Sequence, residues 1–595
     1  MKNILIFLSL TVLFVACNSH NKVKQSEVNL NLETTLDKKQ KEWVERTLSE
    51  MSIREMTGQV VMKWSAGSYV PIDSDDFDNE IKVVDSGIGG IWFMGGSPYE
   101  RAARTNEFQK HAKIPLLVTG WEGLGKKLLE VAEYSYWARG GGTDLPPAMA
   151  YGAIGDPNAV QEAGRILGME LRAIGNHIAG IPEVNVLLNL DNVLHNRCFG
   201  DDPSQVALLS SAFIAGIHEV GELTSSGFFP GAGSIGIDPH NELAIVQDDR
   251  QTFDSIHFVP FRAVIEAGTD IIMSSHIATP GLTGLDTLPA TLSPKVTSIL
   301  REDLGYNGVL ITDAMDMGGI TNNYNFIEAA ILAFKAGNDM ILGTSSIKFA
   351  DTLAILVENG EIPLKQLKTS VRRILEIKAK IGLHNERMIS LDDINTIVGH
   401  RTHQMKADSA AFRSIVLLRD EQNYVPLKAV NSKKVLSITY ERESKIIAVG
   451  KEFNRILREN INSVDEVRIS PLSNASIYQK LIEKSENVEQ VILSIYLRPE
   501  LGTRVQDKIS KPLIQFVEDL QSKGKDIIIV SFGELEVLND LPDLGTFMMA
   551  WSGQDVMQRA AAKAILGINP ISGHLPINLP PFHKRGDGLE RESTH

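Results

Sequence analysis

The segment Gly308-Val-Leu-Ile-Thr-Asp-Ala-Met315 carries a short apolar, β-branched run between a glycine and an aspartate. Runs of this kind, bounded by turn residues, are typical of parallel strands that are buried on both faces. Seven further segments share this character and also predict strands: Gly58–Trp64, Gly87–Gly95, Ile114–Gly120, His177–Val186, Ser226–Gly231, Thr269–Ile277 and Asp339–Gly343.

Amphipathic stretches separate these strands, and the clearest of them are Asn158–Ile174, Pro203–Val220 and Ala290–Leu304. Strands that alternate with helices favour an α/β fold with a parallel sheet. Eight such units over residues 36–385 predict a (β/α)8 barrel of the TIM type. A doubly wound open sheet is the alternative that the same alternation allows.

A polar linker over residues 386–412 separates this half from a second alternating pattern over residues 413–595. The candidate strands of the second half are Lys434–Tyr440, Val464–Pro471, Val488–Leu497, Asp526–Gly533 and Thr546–Gly553. With helices between them, these strands predict a smaller α/β domain of three layers.

The first residues differ in kind from the rest of the chain. Lys2 is followed by the apolar run Ile4–Ala16, which is too short to span a bilayer and ends at Cys17. The pattern predicts a signal peptide over residues 1–16, and Phe14-Val-Ala-Cys17 resembles a bacterial lipoprotein cleavage site. We therefore expect lipid on Cys17, a polar tether over residues 17–35, and a lipoprotein anchored to a bacterial membrane in the cell envelope, facing the periplasm or the surface. Ordinary secretion is the alternative.

The composition of the 595 residues, with 43% hydrophobic and 22% charged residues, is ordinary for a soluble globular protein. The net charge is -15 and no basic block is present, so we expect no nucleic-acid partner. Cys198 is the only cysteine besides Cys17, which excludes a disulfide framework in the mature chain. The sequence contains no His-Glu-x-x-His metal motif and no Gly-rich phosphate loop before a helix, so we expect no cofactor.

In a barrel of this type the reactive groups lie at the carboxyl ends of the strands and in the loops that follow. Those positions hold carboxylates, imidazoles, one amide and one guanidinium: Glu122, Asn185, Arg197, Asp238, His240, His276 and Asp313. A carboxylate and a proton donor facing one pocket are what cleavage of a glycosidic bond requires.

Several segments, in order along the chain, resemble motifs of family 3 glycoside hydrolases. Arg197-Cys-Phe-Gly-Asp-Asp-Pro203 resembles their Arg-Ser-Phe-Gly-Glu-Asp-Pro segment, and Phe229-Pro-Gly-Ala-Gly-Ser-Ile-Gly-Ile-Asp-Pro-His240 resembles their Phe-Pro-Gly-His-Gly loop ending in Asp-Ser-His. The remaining similar strings are Ala290-Thr-Leu-Ser-Pro294, Leu304–Met317, Ala336-Gly-Asn-Asp339, Ser414–Arg419 and Ser572-Gly-His-Leu-Pro-Ile577. The resemblance runs from about Met51 to the C-terminus and implies the barrel followed by the family's second domain.

The resemblance also implies roles for individual residues. Asp313 matches the catalytic nucleophile, while Asp316, three residues later, fits a capping or surface carboxylate. Asp238 and His240 match the Asp-His pair that serves the N-acetylglucosaminidase branch as general acid/base. The substrate-binding candidates are Arg197, His276, Glu122 and Asn185.

The chain departs from the family pattern where the family holds sugar hydroxyls. Gly227-Phe228 stands in place of the usual Lys-His, and Thr119-Gly120-Trp121-Glu122 occupies the site of the usual aspartate after the third strand. Ala232 replaces the histidine of Phe-Pro-Gly-His-Gly, and Glu183 falls where an aspartate late in the fourth strand is usual. These changes predict an atypical glycon pocket, because lost polar partners change which hydroxyls are recognised.

The resulting hypothesis is a retaining β-glycosidase that acts on terminal β-linked sugars of a glycan or cell-wall fragment and is most like the β-N-acetylglucosaminidases. Two alternatives remain open. One is a catalytically silent barrel that binds carbohydrate, and the other is activity on a β-glucoside or β-xyloside. Retention of Asp313, Asp238 and His240 favours an enzyme, whereas the altered hydroxyl-binding positions argue against ordinary gluco-configured substrates.

Overall fold

The computed structural model describes residues 36–120, 123–124, 141–180, 183–343, 346–428, 433–441, 449–497 and 509–594. The described residues belong to one compact unit, Thr34–His595. The predicted signal peptide, the predicted lipidation site Cys17 and the candidate substrate-binding residue Glu122 lie outside the described residues.

The strands of the N-terminal part are β1 (Val61–Ser65), β2 (Gly90–Phe93), β3 (Leu117–Gly120), β4 (Ile178–Ala179), β5 (Leu223–Phe229), β6 (Ala244–Ile245), β7 (Ile271–Ser274), β8 (Ile277–Ala278), β9 (Val309–Thr312) and β10 (Ile341–Gly343). Eight of them form two parallel four-stranded sheets, with the orders β10-β1-β2-β3 and β4-β5-β7-β9. The short strands β6 and β8 pair with each other, and Ala278 of β8 also forms an antiparallel bridge with Pro289.

Backbone hydrogen bonds join the two sheets at both ends. The N–H of His177, just before β4, donates to the carbonyl oxygen of Val118 in β3 at 2.7 Å. At the other end Ile311 of β9 forms a parallel bridge with Met340, just before β10. Each of the eight strands therefore has a bonded neighbour on both sides.

Helices and helical turns connect these strands. Their bounds are Lys38–Glu50, Ile53–Gln59, Asp75–Asp85, Pro98–His111, Ala148–Ile154, Pro157–Ala173, His195–Arg197, Pro203–His218, Arg250–Thr252, Phe253–His257, Phe258–Glu266, Pro280–Thr283, Ala290–Leu292, Pro294–Ser298, Ile299–Asp303, Gly318–Thr321, Phe326–Lys335, Ser346–Glu358 and Leu364–Lys380. The sequence explains where many of them begin. Asp202, for example, caps the helix that starts at Pro203 by accepting hydrogen bonds from the N–H groups of Ser204 and Gln205. The helix predicted over Ala290–Leu304 is divided into a 3₁₀ turn, a short α-helix and a π turn.

The C-terminal part contains a six-stranded sheet of β11 (Val416–Asp420), β12 (Lys434–Glu441), β13 (Ser463–Ile469), β14 (Gln490–Tyr496), β15 (Ile527–Ser531) and β16 (Thr546–Met549), in the order β11-β16-β15-β14-β12-β13. All its strands are parallel except β11, which pairs antiparallel with β16. The helices of this part are Ile394–Ile397, Arg401–Ser414, Lys451–Asn460, Ala475–Ser485, Lys511–Ser522, Val537–Asp540 and Asp555–Ile565. The parallel sheets and alternating helices confirm the predicted α/β class.

The segment predicted as a polar linker, residues 386–412, is largely helical, because the helix Arg401–Ser414 begins within it. That helix is held to both parts of the chain. Nδ1 of His403 lies 2.8 Å from the carboxylate of Glu170, and the guanidinium of Arg559 lies 2.6 Å from the carboxylate of Asp408. Within the described ranges, no helix combines the length and the apolar character needed to cross a bilayer.

Candidate active site

The candidate catalytic residues lie at the carboxyl ends of neighbouring parallel strands. Asp313 directly follows β9, and its backbone N–H donates to the carbonyl oxygen of Ser274, the last residue of β7, at 3.0 Å. The N–H of Ser275 in turn donates to the carbonyl oxygen of Phe229, the last residue of β5, at 2.9 Å. The ends of β5, β7 and β9 are therefore level, and Asp313 lies at the same edge as the loop that begins at Phe229.

That loop, residues 229–240, is fastened along its length to the rest of the site. Near its start, the side-chain oxygen of Asn185 accepts a hydrogen bond from the N–H of Ala232 at 2.7 Å. In its middle, the hydroxyl of Ser234 donates to the carboxylate of Asp248 at 2.6 Å, and that carboxylate also lies 2.8 Å from Nε2 of His257. These contacts give the loop one defined path across the mouth of the strands.

The end of the 229–240 loop is bonded to the chain that follows Asp313. The N–H of Gly318 donates to the carbonyl oxygen of His240, and the N–H of Gly319 donates to that of Pro239, both at 2.9 Å. The approach is close, because a Cβ atom added to Gly318 would lie 2.3 Å from the carbonyl oxygen of Asn241. The two backbones thus hold His240 and Asp313 in the same region.

Asp238 and His240 form a hydrogen-bonded pair. Nδ1 of His240 lies 2.7 Å from Oδ1 of Asp238, and the same oxygen accepts the backbone N–H of His240 at 2.9 Å. The Asp238 side chain is 4% exposed, whereas that of His240 is 35% exposed. Because a carboxylate only accepts, Nδ1 carries a proton, and Nε2 is the ring nitrogen left to exchange a proton with a ligand.

Charge acts on His240 from two carboxylates. Burial alone lowers the pKa of the imidazole, but the hydrogen bond and charge of Asp238, together with the charge of Asp313, raise it further than burial lowers it. The net pKa of His240 therefore lies above its ordinary value, so a larger fraction of the ring is protonated at a given pH than for a free imidazole. The Asp313 side chain is itself buried, and its Oδ1 accepts the N–H of Ala314 at 2.7 Å.

His276 is fully buried and both of its ring nitrogens have protein partners. Nε2 lies 2.9 Å from the carbonyl oxygen of Ala314 and therefore carries the proton, while Nδ1 lies 2.9 Å from the hydroxyl of Thr291. Burial lowers the pKa of His276, although the charge of Asp313 opposes this effect. The ring is thus a neutral support for the backbone beside Asp313.

Arg197 and Glu183 form an ion pair in which both residues are buried. The Arg197 guanidinium also lies 6.0 Å from the centre of the Phe228 ring, within the range of a cation–π contact. The amide nitrogen of the Asn185 side chain donates to the carbonyl oxygen of Gly227 at 3.3 Å. Arg197, His276 and Asn185, which were expected to contact substrate, therefore each contact protein groups through at least one polar atom.

Two tryptophans of the first strands face the interior of the sheet. Ser65 bonds Glu80 of the helix Asp75–Asp85, and Phe93 packs on Phe108 of the helix Pro98–His111, so both point toward the surrounding helices. Successive residues of a strand point to opposite faces. Trp64 and Trp92, one position earlier in β1 and β2, therefore face inward, with ring centres 5.6 Å apart. Strand alternation within the predicted segments is the sequence signal that identifies them.

The C-terminal part reaches the chain beside Arg197. The side chain of Asn196 donates to the carbonyl oxygen of Trp551 at 3.4 Å. Burial raises the pKa of Glu534, in the loop after β15, to about 7, and the negative charge of Asp191 in the loop after β4 acts in the same direction. No sequence motif pointed to these contacts.

In the part of the chain that the structure describes, no group of three His, Cys, Asp or Glu side chains could hold a metal ion.

Comparison with known proteins agrees with this arrangement. The glycosyl hydrolase family 3 N-terminal domain matches residues 52–377. A β-N-acetylglucosaminidase/β-glucosidase of Cellulomonas fimi is 24% identical over 557 residues, covering 90% of this chain and 95% of that protein. The β-hexosaminidase A of Pseudoalteromonas piscicida is 25% identical over 481 residues, covering 72% of this chain and 78% of that protein.

The fold also matches a solved structure. A family 3 β-N-acetylglucosaminidase from Paenibacillus sp. str. FPU-7 aligns with a TM-score of 0.77 and 27% identity, over 89% of this chain and 99% of that one. The family match covers more than half of the 595 residues and includes Asp238, His240 and Asp313. The chain therefore belongs to glycosyl hydrolase family 3 and is a glycoside hydrolase.

Proposed function

We propose that this glycoside hydrolase is a retaining β-glycosidase that hydrolyses terminal β-linked sugars and is most like the β-N-acetylhexosaminidases. One observation carries the proposal: the buried carboxylate of Asp313 and the His240–Asp238 pair lie at the same end of the parallel strands, close enough for Asp313 to raise the pKa of His240. The names of the similar proteins from Cellulomonas fimi and Pseudoalteromonas piscicida agree with this class of substrate.

In the proposed first step, a carboxylate oxygen of Asp313 attacks the anomeric carbon and the bond from that carbon to the leaving oxygen breaks. Nε2 of His240 donates its proton to the departing oxygen, and Asp238 stabilises the imidazole through Nδ1. In the second step water attacks the anomeric carbon, Nε2 accepts a proton from that water, and the Asp313 carboxylate leaves. Two displacements at one carbon retain the β configuration.

We infer a (β/α)8 barrel for the first half of the chain, residues 36–385, followed by the connecting segment 386–412 and a three-layer α/β domain over residues 413–595. The hydrogen bonds that join β3 to the chain before β4, and β9 to the chain before β10, support a closed ring of strands. The separate six-stranded sheet supports the second domain.

The glycon pocket of the proposed enzyme is atypical. Gly227 and Phe228 stand where related enzymes present polar groups. The backbone N–H of Ala232 donates a hydrogen bond to the side-chain oxygen of Asn185. The contacts of Arg197, His276 and Asn185 with protein atoms support a positioning role for these three residues beside any contact that they make with the sugar.

We propose that the protein is a lipoprotein, held at a bacterial membrane through Cys17 and exposed to the periplasm or the cell surface. The apolar run Ile4–Ala16 followed directly by Cys17 supports this location. No cofactor and no nucleic acid enter the proposed reaction.

A panel of aryl β-glycosides, with N-acetylglucosaminide, glucoside and xyloside members, tests the function. Wild type is expected to release the phenol and a β-configured sugar, and NMR identifies the configuration of the released sugar. Asp313→Ala is expected to lose turnover of every substrate. Asp316→Ala is the matched control, because Asp316 is an exposed carboxylate three residues from Asp313 and should retain turnover. Absence of turnover by wild type on the whole panel would contradict the proposal and favour a carbohydrate-binding protein.

A further inference from the structure

Asp248 lies outside the 229–240 loop but is bonded to it through its side chain. Its Oδ2 accepts the hydroxyl of Ser234 at 2.6 Å and lies 2.8 Å from Nε2 of His257. Because a carboxylate only accepts, Nε2 of His257 carries a proton and donates it to this bond. Hydrogen bonds to a charged acceptor are about twice as strong as neutral ones. The shared oxygen therefore holds Ser234 at a defined point.

The backbone around Asp248 is held on two sides. Asp248 follows β6, which pairs with β8, and the N–H of Val246 donates to the carbonyl oxygen of Ala278 at 2.9 Å. Gly281 packs closely on the same segment, since a Cβ atom added there would lie 2.1 Å from the carbonyl oxygen of Asp248. The loop is therefore bonded to a partner whose own position is fixed by the neighbouring strands.

His257 supports Asp248 from the interior. It is 1% exposed, and its ring centre lies 4.8 Å from that of Phe253. The ring also touches the start of the loop, because a Cβ atom added to Gly231 would lie 2.8 Å from Nδ1. His257 and Asp248 together thus contact the loop at Gly231 and at Ser234.

The part of the loop beyond Ser234 leads directly to the Asp238–His240 pair. Ser234 stands four residues before Asp238, and Gly236 and Ile237 between them are exposed. A displacement at Ser234 therefore has room to pass along the chain to the pair.

We propose that Asp248 is a positioning residue that acts through Ser234. It sets where Nε2 of His240 lies relative to Asp313, and hence how well that nitrogen reaches the leaving oxygen. The inference rests on the proposed function, because it assumes that His240 is the proton donor.

A positioning role and an electrostatic role predict different pH profiles. The largest effects on the pKa of His240 come from burial and from the charges of Asp238, Asp313 and Arg197. Loss of the Asp248 bond should therefore leave the alkaline limb of the activity profile in place. A displaced ring would instead donate its proton less well at every pH.

Ser234→Ala removes the bond and leaves Asp248 paired with His257. Misplacement by about 1 Å can cost about 100-fold in rate. We expect a loss of about 10–100-fold in kcat/KM on poor leaving groups and of less than about threefold on activated aryl glycosides, which need little proton transfer. The alkaline limb should stay at its wild-type pH.

Substitutions at position 248 separate position from charge. Asp248→Ala should match Ser234→Ala, and the double variant should lose no more than either, because all three lack the same bond. Asp248→Asn keeps an oxygen that accepts both hydrogens, so it should recover most of the rate. An Asp248→Asn variant as slow as Asp248→Ala would overturn the inference. Thermal melting checks that each variant folds, and Ser234→Ala carries the test if Asp248→Ala does not.

Asp249→Asn is the matched control. Asp249 is the neighbouring exposed carboxylate and caps the turn Arg250–Thr252, a role that asparagine also fills. This variant should keep the wild-type rates on poor and good leaving groups alike.

Hydrogen–deuterium exchange measures the loop without turnover. Peptides that cover residues 231–240 should exchange faster in Ser234→Ala than in wild type or Asp249→Asn. Unchanged exchange, or equal rate losses on good and poor leaving groups, would overturn the inference and leave the glycosidase standing. Faster exchange in Ser234→Ala, with no glycoside hydrolysed by wild type, would overturn the proposed function and leave the anchoring of the loop by Asp248 standing.

Discussion

One oxygen of Asp238 accepts two hydrogen bonds from His240, one from ring Nδ1 at 2.7 Å and one from the backbone N–H at 2.9 Å. The contact is local, since only Pro239 separates the two residues, and proline has a restrained backbone. The ring is thereby held in one orientation with Nε2 free to act. The pair is formed by local contacts and is preorganised for the proton transfer that we propose for it.

His240→Ala is expected to affect substrates according to their leaving groups. A phenol of low pKa departs without a proton, whereas a poor leaving group requires one from Nε2. The variant should lose about 10²–10⁴-fold in kcat/KM on poor leaving groups and much less on activated aryl glycosides. Rates measured over a series of substituted phenols check this, and equal losses along the series would contradict the role of His240 as general acid.

Asp238→Asn is expected to move the alkaline limb of the activity profile to lower pH. The charge and hydrogen bond of Asp238 raise the pKa of His240, so their removal lowers that pKa. Because the acid must be protonated, activity then falls at a lower pH than in wild type. The dependence of kcat/KM on pH measures the shift, with Asp316→Asn as the isosteric control at an exposed position. A limb that stays in place or moves to higher pH would refute the assignment.

Arg197→Met should be strongly destabilising, because it leaves the buried carboxylate of Glu183 without its ion-pair partner. Breaking one side of a buried pair costs about 3–5 kcal/mol, whereas replacing both sides by neutral groups costs much less. The double variant Arg197→Met with Glu183→Gln should therefore recover most of the free energy of unfolding. Urea denaturation compares the three proteins, and a single variant as stable as the double would show that the pair is unimportant for stability.

Lys378→Met is expected to remove a pH dependence of stability. Lys378 is fully buried, its Nζ donates to the side-chain oxygen of Gln59 at 2.7 Å, and burial lowers its pKa to about 7. Between about pH 7 and the ordinary pKa of 10.5, the unfolded chain binds a proton that the native chain lacks, so native stability rises with pH.

Urea denaturation at pH 7 and pH 9 measures this effect. The free energy of unfolding of wild type should rise by up to about 1.4 kcal/mol per pH unit relative to that of Lys378→Met across that window. Lys348→Met, at an exposed lysine, is the control and should follow wild type. A parallel pH dependence in wild type and Lys378→Met would argue against a neutral buried lysine.

Cys17→Ser is expected to release the protein from bacterial membranes into the soluble fraction, because the lipid is attached through the Cys17 sulfur in the proposed lipoprotein. Fractionation followed by immunoblotting measures the distribution. Cys198→Ser is the matched control, since Cys198 is buried within the fold and should leave the protein with the membrane. Unchanged membrane association of Cys17→Ser would indicate another means of attachment.

The sequence predicts best those features that depend on local pattern. The apolar run before Asp313 identifies a buried strand, and β9 ends one residue before that aspartate. Asp238 and His240 pair across one intervening residue, so the motif that names them also brings them together. The α/β class follows from the same alternation of short apolar runs and amphipathic stretches.

Long-range partners were not predictable from the chain alone. Arg197 lies in the helical turn His195–Arg197 and Glu183 follows β4, and nothing in their spacing indicates that the two side chains form an ion pair. The contact of Asn196 with Trp551 joins residues that are 355 positions apart. The sequence of the helix Arg401–Ser414 was predicted to be a polar linker. Its contacts, such as that of His403 with Glu170, are with distant parts of the chain, so local pattern does not indicate them.

The backbone N–H groups of Gly318 and Gly319 limit which substitutions this site can accept during evolution. They donate to the carbonyl oxygens of His240 and Pro239, so main-chain bonds set the spacing between His240, the proposed proton donor, and the chain that carries Asp313. The side chains of Phe228 and Ala232 make neither of these two bonds. Substitutions at the side chains around the site can therefore alter substrate preference during evolution without changing the separation of His240 and Asp313. Gly318 is the constrained position, since a Cβ atom there would lie 2.3 Å from the carbonyl oxygen of Asn241, and Gly319 is tighter than usual, at 3.0 Å from the carbonyl oxygen of His276.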